Sequence, residues 1–243
     1  MTSPPPPGPP FDPLVITPVG HELLDDPEAK APAVVETLRN IARSNRWFGG
    51  AWAVSHGLRR LLAAVPRGAT LSLLDLGTGV GDLPLRAARW AAGGGRGIRL
   101  VPVGIERNRV AAGLARAGGL PCAVACAGTP PIRDKSVDLV LLSQVVHHLD
   151  RASAIRLLRT SDRLARLGVL VADLRRGRLA LAAFWCGARA LRFDRHTRAD
   201  GITSLHRGYT AGELRDLLAA AGVRARVERR PGFRLVATWR PAG

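Results

Sequence analysis

From residue 70 onward, short apolar runs alternate with longer stretches in which apolar residues recur at helical spacing. Five apolar runs have the length of a buried strand: 71–76, 98–105, 122–125, 137–142 and 168–173. Three amphipathic stretches between them have the length of a helix: 83–92, 109–117 and 152–167. This alternation predicts βαβ units, and therefore a parallel sheet with helices on both faces.

The end of the chain departs from this alternation. A helix is predicted over 211–221, and two strand-like runs follow it at 225–229 and 234–239. The gap between these runs is too short for a parallel crossover, which takes about a dozen residues, so we expect them to pair antiparallel. The predicted fold class is therefore α/β, a Rossmann-like three-layer sandwich. Its seven-stranded sheet is mostly parallel and ends in an antiparallel C-terminal hairpin.

The segment before residue 70 is predicted to be an extension of this domain. Residues 1–20 are rich in proline, which removes backbone donors and restricts its neighbours, so they are predicted to form a disordered leader. Residues 21–69 are predicted to form a helical extension, a helical pair interrupted at Gly49-Gly50. The main domain then spans 70–243, and an apolar, aromatic helix over 179–191 suggests a lid-like insertion at about 178–208.

Composition excludes several classes of protein. The chain has 243 residues, of which 47% are hydrophobic, so a wholly disordered protein is excluded. No apolar run approaches the roughly 20 residues of a membrane span, and the proline-rich start does not resemble a secretory signal. Three cysteines make a disulfide framework unexpected, so a reducing, cytoplasmic setting is predicted.

The formal net charge of +17 allows two interpretations. Arginine supplies nearly all of the positive charge, since Lys30 and Lys135 are the two lysines, and residues after 150 carry +13 of the total. Such asymmetry attracts nucleic acid or an anionic membrane surface. It is equally typical of a solvated arginine-rich surface, which we favour, because guanidinium stems cover apolar area while their heads stay hydrated.

A glycine-rich loop follows the first predicted strand and precedes a helix. Glycines at 77, 79 and 81 allow a tight turn and a close approach of the backbone to a ligand. Asp75 and Asp82 flank them and would repel a phosphate. The G-x-G-x-G spacing also differs from the dinucleotide G-x-G-x-x-G. The loop therefore favours a cationic ligand without phosphate, such as S-adenosylmethionine.

The second predicted strand ends at Glu106. A carboxylate at this strand tip can accept hydrogen bonds from both hydroxyls of a ribose. The alternative is a surface glutamate paired with Arg107 or Arg109. Glu106 ends the next predicted strand after the glycine loop, and this position favours the ribose role.

The fourth predicted strand leads into Ser143 and then His147-His148. The imidazole of histidine exchanges protons near neutral pH, so one of the two is predicted to deprotonate a substrate hydroxyl. The alternative is that one packs under the sheet while the other bonds to the backbone. No further histidine or cysteine lies at metal-ligand spacing, so no metal is predicted. The absence of a nucleophile elbow argues against a hydrolase.

Together these motifs resemble those of class I S-adenosylmethionine-dependent methyltransferases over residues of about 70–175. The matching segments are 75–81, Glu106, 131–140 and 147–149. The sheet of that family has seven strands with the last inserted antiparallel, in agreement with the predicted hairpin. Residues 209–214 and 221–223 are similar to the closing part of ubiquinone-biosynthesis-like and other small-molecule members.

The resemblance implies S-adenosylmethionine as cofactor and a set of residues to hold it. These are Asp75, Gly77, Thr78, Gly79, Gly81, Asp82, Glu106, Arg107, Cys126, Ala127 and Ser143. One position departs from the family, which commonly has an aspartate after the third strand to meet the adenine amino group. Here Cys126 and Ala127 occupy that place, so contact with adenine would come from backbone groups or packing.

The expected acceptor is a small hydroxylated aromatic, polyketide-like or quinone-like molecule. Residues predicted to line its pocket are Trp47, Asp173, Arg175, Phe184 and Tyr209. One alternative is an RNA methyltransferase, favoured by the charge but opposed by residues 143–146, which lack the Pro-Pro-aromatic signature of enzymes that methylate nucleobase amines. Another is a cofactor-binding assembly protein without catalysis, and a dinucleotide oxidoreductase is a more distant one.

Overall fold

The computed structural model describes residues 14–15, 17–26, 29–94 and 96–241. In this part of the chain, seven strands form one sheet in the order β3-β2-β1-β4-β5-β7-β6. The strands are β1 (Thr70–Leu76), β2 (Arg99–Glu106), β3 (Cys122–Val124), β4 (Val137–Ser143), β5 (Ala165–Leu174), β6 (Arg226–Arg230) and β7 (Arg234–Trp239). Strands β1 to β5 pair in parallel, and β7 pairs antiparallel with both β5 and β6. The predicted fold class is confirmed.

Eight α-helices accompany the sheet in the described residues. They are α1 (Ala31–Trp47), α2 (Gly50–Leu61), α3 (Asp82–Gly93), α4 (Arg109–Ala117), α5 (Arg151–Leu164), α6 (Arg178–Ala190), α7 (Arg195–Arg207) and α8 (Ala211–Ala220). Short 3₁₀ turns occupy Leu23–Asp25, Leu62–Ala64 and Val146–His148.

The central strands are apolar on both faces, which gives the fold its three layers. Leu73 and Leu141 face a core shared with α2 and α3, whereas Leu74 and Leu142 face a core shared with α5 and α8. Consecutive strand residues point to opposite faces, so a continuous apolar run fills both cores. Each fully buried leucine of this kind contributes about 1.5–3 kcal/mol.

Two elements differ from the sequence-based expectation. The helix predicted over 152–167 ends at Leu164, and β5 begins directly afterwards at Ala165. Gly168 lies within that strand. A glycine suits this position because a Cβ there would be 2.7 Å from the Leu61 side chain. Helix α7 was not predicted because its sequence is polar on most sides. Its start is nevertheless marked by Asp194, whose carboxylate accepts hydrogen bonds from two amides of the first turn.

The break between α1 and α2 is packed against the β6–β7 turn. Gly49 has φ +79°, and a Cβ there would be 2.8 Å from the Pro231 carbonyl oxygen. Gly232 has φ +74°, and its Cβ would be 2.4 Å from the Phe48 carbonyl oxygen. Two backbones can approach this closely only where side chains are missing. Gly49 and Gly232 therefore allow the α1–α2 break and the β6–β7 turn to pack backbone against backbone.

The end of the predicted proline-rich leader lies against the loop that follows β4. The Thr17 amide donates to the His148 carbonyl at 2.8 Å, and the Asp150 amide donates to the Val15 carbonyl at 2.9 Å. Residues 1–13 and 16 lie outside the described residues. Within the described part of the chain, no helix has the length and apolar character needed to cross a membrane.

Candidate functional site

A cavity of about 310 Å³ opens at the carboxyl ends of the parallel strands. This is the edge of an open α/β sheet where ligands bind. Helix α1 and residues 22–25 form its outer wall, with Leu38, Ile41 and Asn45 contributed by the helix. Twelve of the residues predicted for the site line the cavity: Asp75, Gly77, Thr78, Gly79, Asp82, Glu106, Arg107, Cys126, Ala127, Ser143, His147 and His148.

Gly81 was predicted to bind the cofactor, but it is not among the residues that line the cavity. It is buried at the start of α3 with φ +75°, and a Cβ there would be 2.7 Å from the Leu120 side chain. It therefore allows close packing of the helix. Gly77, at φ +76°, does line the cavity, and a Cβ there would be 2.6 Å from Val145.

Three carboxylates surround the glycine loop. Asp75 is fully buried, and Thr78 Oγ1 donates to its Oδ2 at 2.6 Å, while Oδ1 has no hydrogen-bond partner among the described residues. Burial, together with the nearby charges of Asp82 and Glu106, raises the pKa of Asp75 to about 7, against a smaller lowering by the hydrogen bond from Thr78. Burial also raises the pKa of Asp82, whose Oδ2 accepts from Asn45 Nδ2 at 3.2 Å. A cationic group beside these carboxyls would lower both pKa values and give the unused Asp75 oxygen a partner, so the loop suits a cationic ligand.

The raised pKa of Asp75 predicts a pH-dependent stability of the ligand-free protein. The native state holds this proton up to about pH 7, whereas an unfolded aspartate loses it near 3.8. The free energy of unfolding should therefore fall as the pH rises between those values, by about 1–3 kcal/mol from pH 5 to pH 7. Asp75→Asn should remove this slope and be more stable than the wild type at pH 8. Urea unfolding from pH 5 to pH 8 measures the free energy of unfolding of each protein, and the variant Asp134→Asn, at an exposed carboxylate, is the control. The same pH dependence in Asp75→Asn as in the wild type would contradict this prediction.

Glu106 is held at the tip of β2 by backbone amides. Its Oε2 accepts from the Gly79 amide at 2.9 Å, and its Oε1 accepts from the Asn108 amide at 2.8 Å. The Arg107 guanidinium donates to the Leu24 carbonyl at 3.2 Å instead of pairing with the Glu106 carboxylate. Each carboxylate oxygen can accept more than one hydrogen bond, so a ribose diol could still be bound here.

His147 and Asp173 form a buried pair at the other end of the cavity. His147 Nδ1 lies 2.6 Å from Asp173 Oδ1, and the other oxygen of Asp173 accepts from the Val146 and His147 amides. Burial alone would raise the pKa of Asp173, but the charge and hydrogen bond of His147 keep it below its usual value. An ionised carboxylate only accepts, so Nδ1 carries a proton, and in the neutral form of the ring Nε2 is the nitrogen with the lone pair. Nε2 is buried and has no partner among the described residues.

His148 belongs to a charged cluster formed with the N-terminal segment. Its Nδ1 lies 3.3 Å from Asp25 Oδ1, and its Nε2 lies 3.9 Å from Glu22 Oε2. The buried Arg207 donates to Glu22 Oε1 at 3.0 Å and to Asp25 Oδ2 at 2.8 Å. This cluster anchors residues 22–25 over the cavity. Glu22, Asp25 and Arg207 were not predicted as site residues, because nothing in their spacing along the chain connects them to the histidines.

The fold also brings three metal-ligating side chains together, which the spacing of the sequence did not predict. One ligand atom from each of Glu22, His147 and His148 lies within 4.8 Å of the other two. The guanidinium of Arg207 already binds the Glu22 carboxylate and competes with a cation for it.

Three residues predicted for an acceptor pocket line neither this cavity nor a second one that adjoins it. Asp173 is buried behind His147. Arg175 packs over the ring of Phe233, with 5.4 Å from Cζ to the ring centroid. Tyr209 packs on the core, and its hydroxyl donates to the Val146 carbonyl at 3.2 Å. Trp47 and Phe184 line a second cavity that adjoins the first.

Gln144 lies on the wall between these two cavities in a left-handed conformation, with φ +56°. Its Nε2 donates to Asn45 Oδ1, and its Oε1 accepts from the buried Arg234 guanidinium at 2.8 Å. Arg234 also donates to the Phe48 carbonyl at 3.1 Å. These bonds hold a polar side chain in one orientation at the boundary between the cavities.

The acidic glycine loop and the cavity thus lie outside the carboxyl ends of the parallel strands, where open α/β sheets bind their ligands. Residues 74–172 match the family model described as a methyltransferase domain. No curated protein sequence matches the chain.

Solved structures of methyltransferases share the fold. A SAM-dependent methyltransferase from Aquifex aeolicus is 16% identical, with a TM-score of 0.53 over 78% of this chain and 89% of that one. Magnesium protoporphyrin IX methyltransferase (ChlM) from Synechocystis, solved with bound SAM, is 14% identical, with a TM-score of 0.53 over 84% and 85%. TnmH is 20% identical, with a TM-score of 0.62 over 92% of this chain and 62% of that one.

Residues 74–172 therefore carry a methyltransferase domain, and the fold of the chain is the one found in S-adenosylmethionine-dependent methyltransferases. The methyltransferase domain implies S-adenosylmethionine as its cofactor.

Proposed function

We propose that this protein transfers the methyl group of S-adenosylmethionine to a hydroxyl group of a small aromatic acceptor, of the polyketide-like or quinone-like kind. The observation that carries the proposal is His147, which lines the cavity, is held at Nδ1 by Asp173 and has a buried Nε2 without a partner among the described residues. A lone pair fixed in this way can accept the proton of an acceptor hydroxyl.

The glycine-loop end of the cavity fits the cofactor. Asp75 and Asp82 would attract its cationic methionine end, and Glu106 would accept from its ribose hydroxyls. Cys126 and Ala127 would form the adenine wall by packing, with Ser143 and Arg107 at its borders. When bound, S-adenosylmethionine supplies a methyl group activated by its positively charged sulfur.

The residues of this chain would supply alignment, deprotonation and exclusion of water. Methyl transfer is an in-line displacement, so orienting the acceptor hydroxyl is a large part of catalysis. Asp173 would act as a positioning residue, since it sets the tautomer and orientation of His147. Residues 22–25, anchored by Arg207, would keep water from the acceptor end.

A panel of acceptors incubated with methyl-labelled S-adenosylmethionine tests this proposal. We expect label in hydroxylated aromatics and not in their fully O-methylated counterparts. Structured RNA transcripts belong in the same panel, because label found in RNA alone would favour an RNA methyltransferase. Cofactor binding without label in any acceptor would favour a binding protein without catalysis. Either result would overturn the proposal.

We expect methyl transfer to be insensitive to chelation of divalent cations. Arg207 already neutralises the carboxylate that a metal would need, and the proposed role of His147 requires its Nε2 to be free. Transfer rates with and without EDTA measure this directly. A loss of activity that Mg²⁺ or Zn²⁺ restores would instead assign Glu22, His147 and His148 to a metal ion.

A further inference from the structure

The second cavity, of about 170 Å³, lies between α1, α6, α7 and the β6–β7 turn. Its wall is mainly aromatic and apolar: Trp47, Phe48, Phe184, Phe193 and Phe233 all line it. The rings of Phe48 and Phe184 pack at 6.0 Å between centroids. Although Asn40, Thr197 and Asp200 also line it, most of the exposed wall is apolar and favours hydrocarbon over a polar ligand.

The two cavities share part of their walls. Glu22, Leu24, Ile41, Gln144 and Ser204 line both of them. A single ligand that passes this boundary would have one end beside His147 and the other among the phenylalanines. The polar side chains of Glu22 and Gln144 are fixed at the boundary by Arg207 and Arg234, so they mark the point where the ligand changes from polar to apolar.

We infer that the second cavity binds an apolar substituent of the methyl acceptor. The acceptor is then an amphiphilic phenol, in which a hydroxylated ring carries an alkyl or aryl side chain. This inference rests on the proposed function and narrows its substrate class, because a bare phenol or catechol would leave the aromatic wall uncovered. Each methylene that the cavity buries should improve kcat/KM about 3- to 4-fold until the cavity is full.

Helix α6 offers a matched pair of variants to test the inference. Ala182 and Ala183 are adjacent and exposed, but of the two only Ala183 lines the second cavity. Ala183→Trp should therefore fill the mouth of the cavity, while Ala182→Trp adds the same side chain outside it. The measurement is kcat/KM for phenols with 4-alkyl chains of zero to six carbons.

We expect kcat/KM to rise with chain length in the wild type and in Ala182→Trp, and this rise to be lost in Ala183→Trp. Activity on unsubstituted phenol and the affinity for S-adenosylmethionine should be the same in all three proteins. The same chain-length dependence in Ala183→Trp as in the wild type would overturn the inference. So would a wild-type protein that is indifferent to chain length.

Binding of a neutral apolar dye separates this inference from the proposed function. N-phenyl-1-naphthylamine should fluoresce on binding to the wild type and to Ala182→Trp, but not to Ala183→Trp, and 4-hexylphenol should displace it. This pattern in a protein that methylates no phenol would support the apolar site while the proposed function fails. Equal dye binding by all three proteins would overturn the assignment of the site.

Discussion

Replacing His147 by alanine should lower kcat for methyl transfer to an unactivated phenol by about 10²- to 10⁴-fold, the usual contribution of a positioned general base. The physical reason is the loss of the imidazole that lines the cavity and would take the proton at its unpartnered Nε2. The affinity for S-adenosylmethionine should stay unchanged, because the acidic loop that would bind it is intact. Steady-state transfer rates and calorimetric titration of the cofactor measure the two quantities.

Acceptors of graded acidity distinguish this role from a structural one. A 2,4-dinitrophenol is ionised at neutral pH and needs no base, so His147→Ala should lose much less activity on it than on phenol. Asp173→Asn should show the same selectivity at a smaller scale, because it disturbs the tautomer that Asp173 sets. An equal loss on both acceptors would indicate that His147 merely supports the fold.

Replacing Glu106 by alanine should weaken binding of S-adenosylmethionine by roughly 1.5–3 kcal/mol, or about 10- to 150-fold in Kd. The carboxylate would accept from both ribose hydroxyls, and charge-assisted hydrogen bonds of this kind are among the stronger ones in proteins. It also fixes the loop, since its oxygens accept from the Gly79 and Asn108 amides. Isothermal titration calorimetry with the purified variant gives the Kd.

Two further variants control this experiment. Glu106→Gln keeps the size of the side chain and one acceptor oxygen. Its Kd for S-adenosylmethionine should therefore lie between those of the wild type and the alanine variant. Asp134→Ala removes an exposed carboxylate paired with Arg163, far along the chain from the loop, and should leave the Kd unchanged. If Glu106→Ala bound the cofactor as tightly as the wild type, Glu106 would be removed from the proposed site.

The parts of the site that the sequence predicted are those encoded by neighbouring residues. The glycine loop, Asp75 and Glu106 each directly follow or end a recognisable apolar strand. Because parallel strands share one carboxyl edge, residues at their tips must meet in space. This rule explains why twelve of the residues predicted from the sequence line one cavity.

The parts that sequence analysis missed depend on contacts between distant segments. Arg207 binds Glu22 across 185 positions, and Arg234 binds Gln144 across 90. The predicted pocket residues Arg175 and Tyr209 turned out to pack elsewhere, since a side chain near a strand end can face either the cavity or the core. Helix α7, which supplies Arg207, gave a weak amphipathic signal and was not predicted.

The order of apolar and polar residues by itself determined the layered sheet, its antiparallel hairpin and the acidic glycine loop, because strand length, crossover length and turn chemistry are local properties. Only the tertiary structure decided which histidine is paired with a buried carboxylate, which carboxylates cover the first cavity, and that a second, aromatic cavity adjoins it. Those features arise where α1, α6, α7 and the N-terminal segment pack over the sheet edge, and side-chain packing between distant segments leaves no periodic pattern in a sequence.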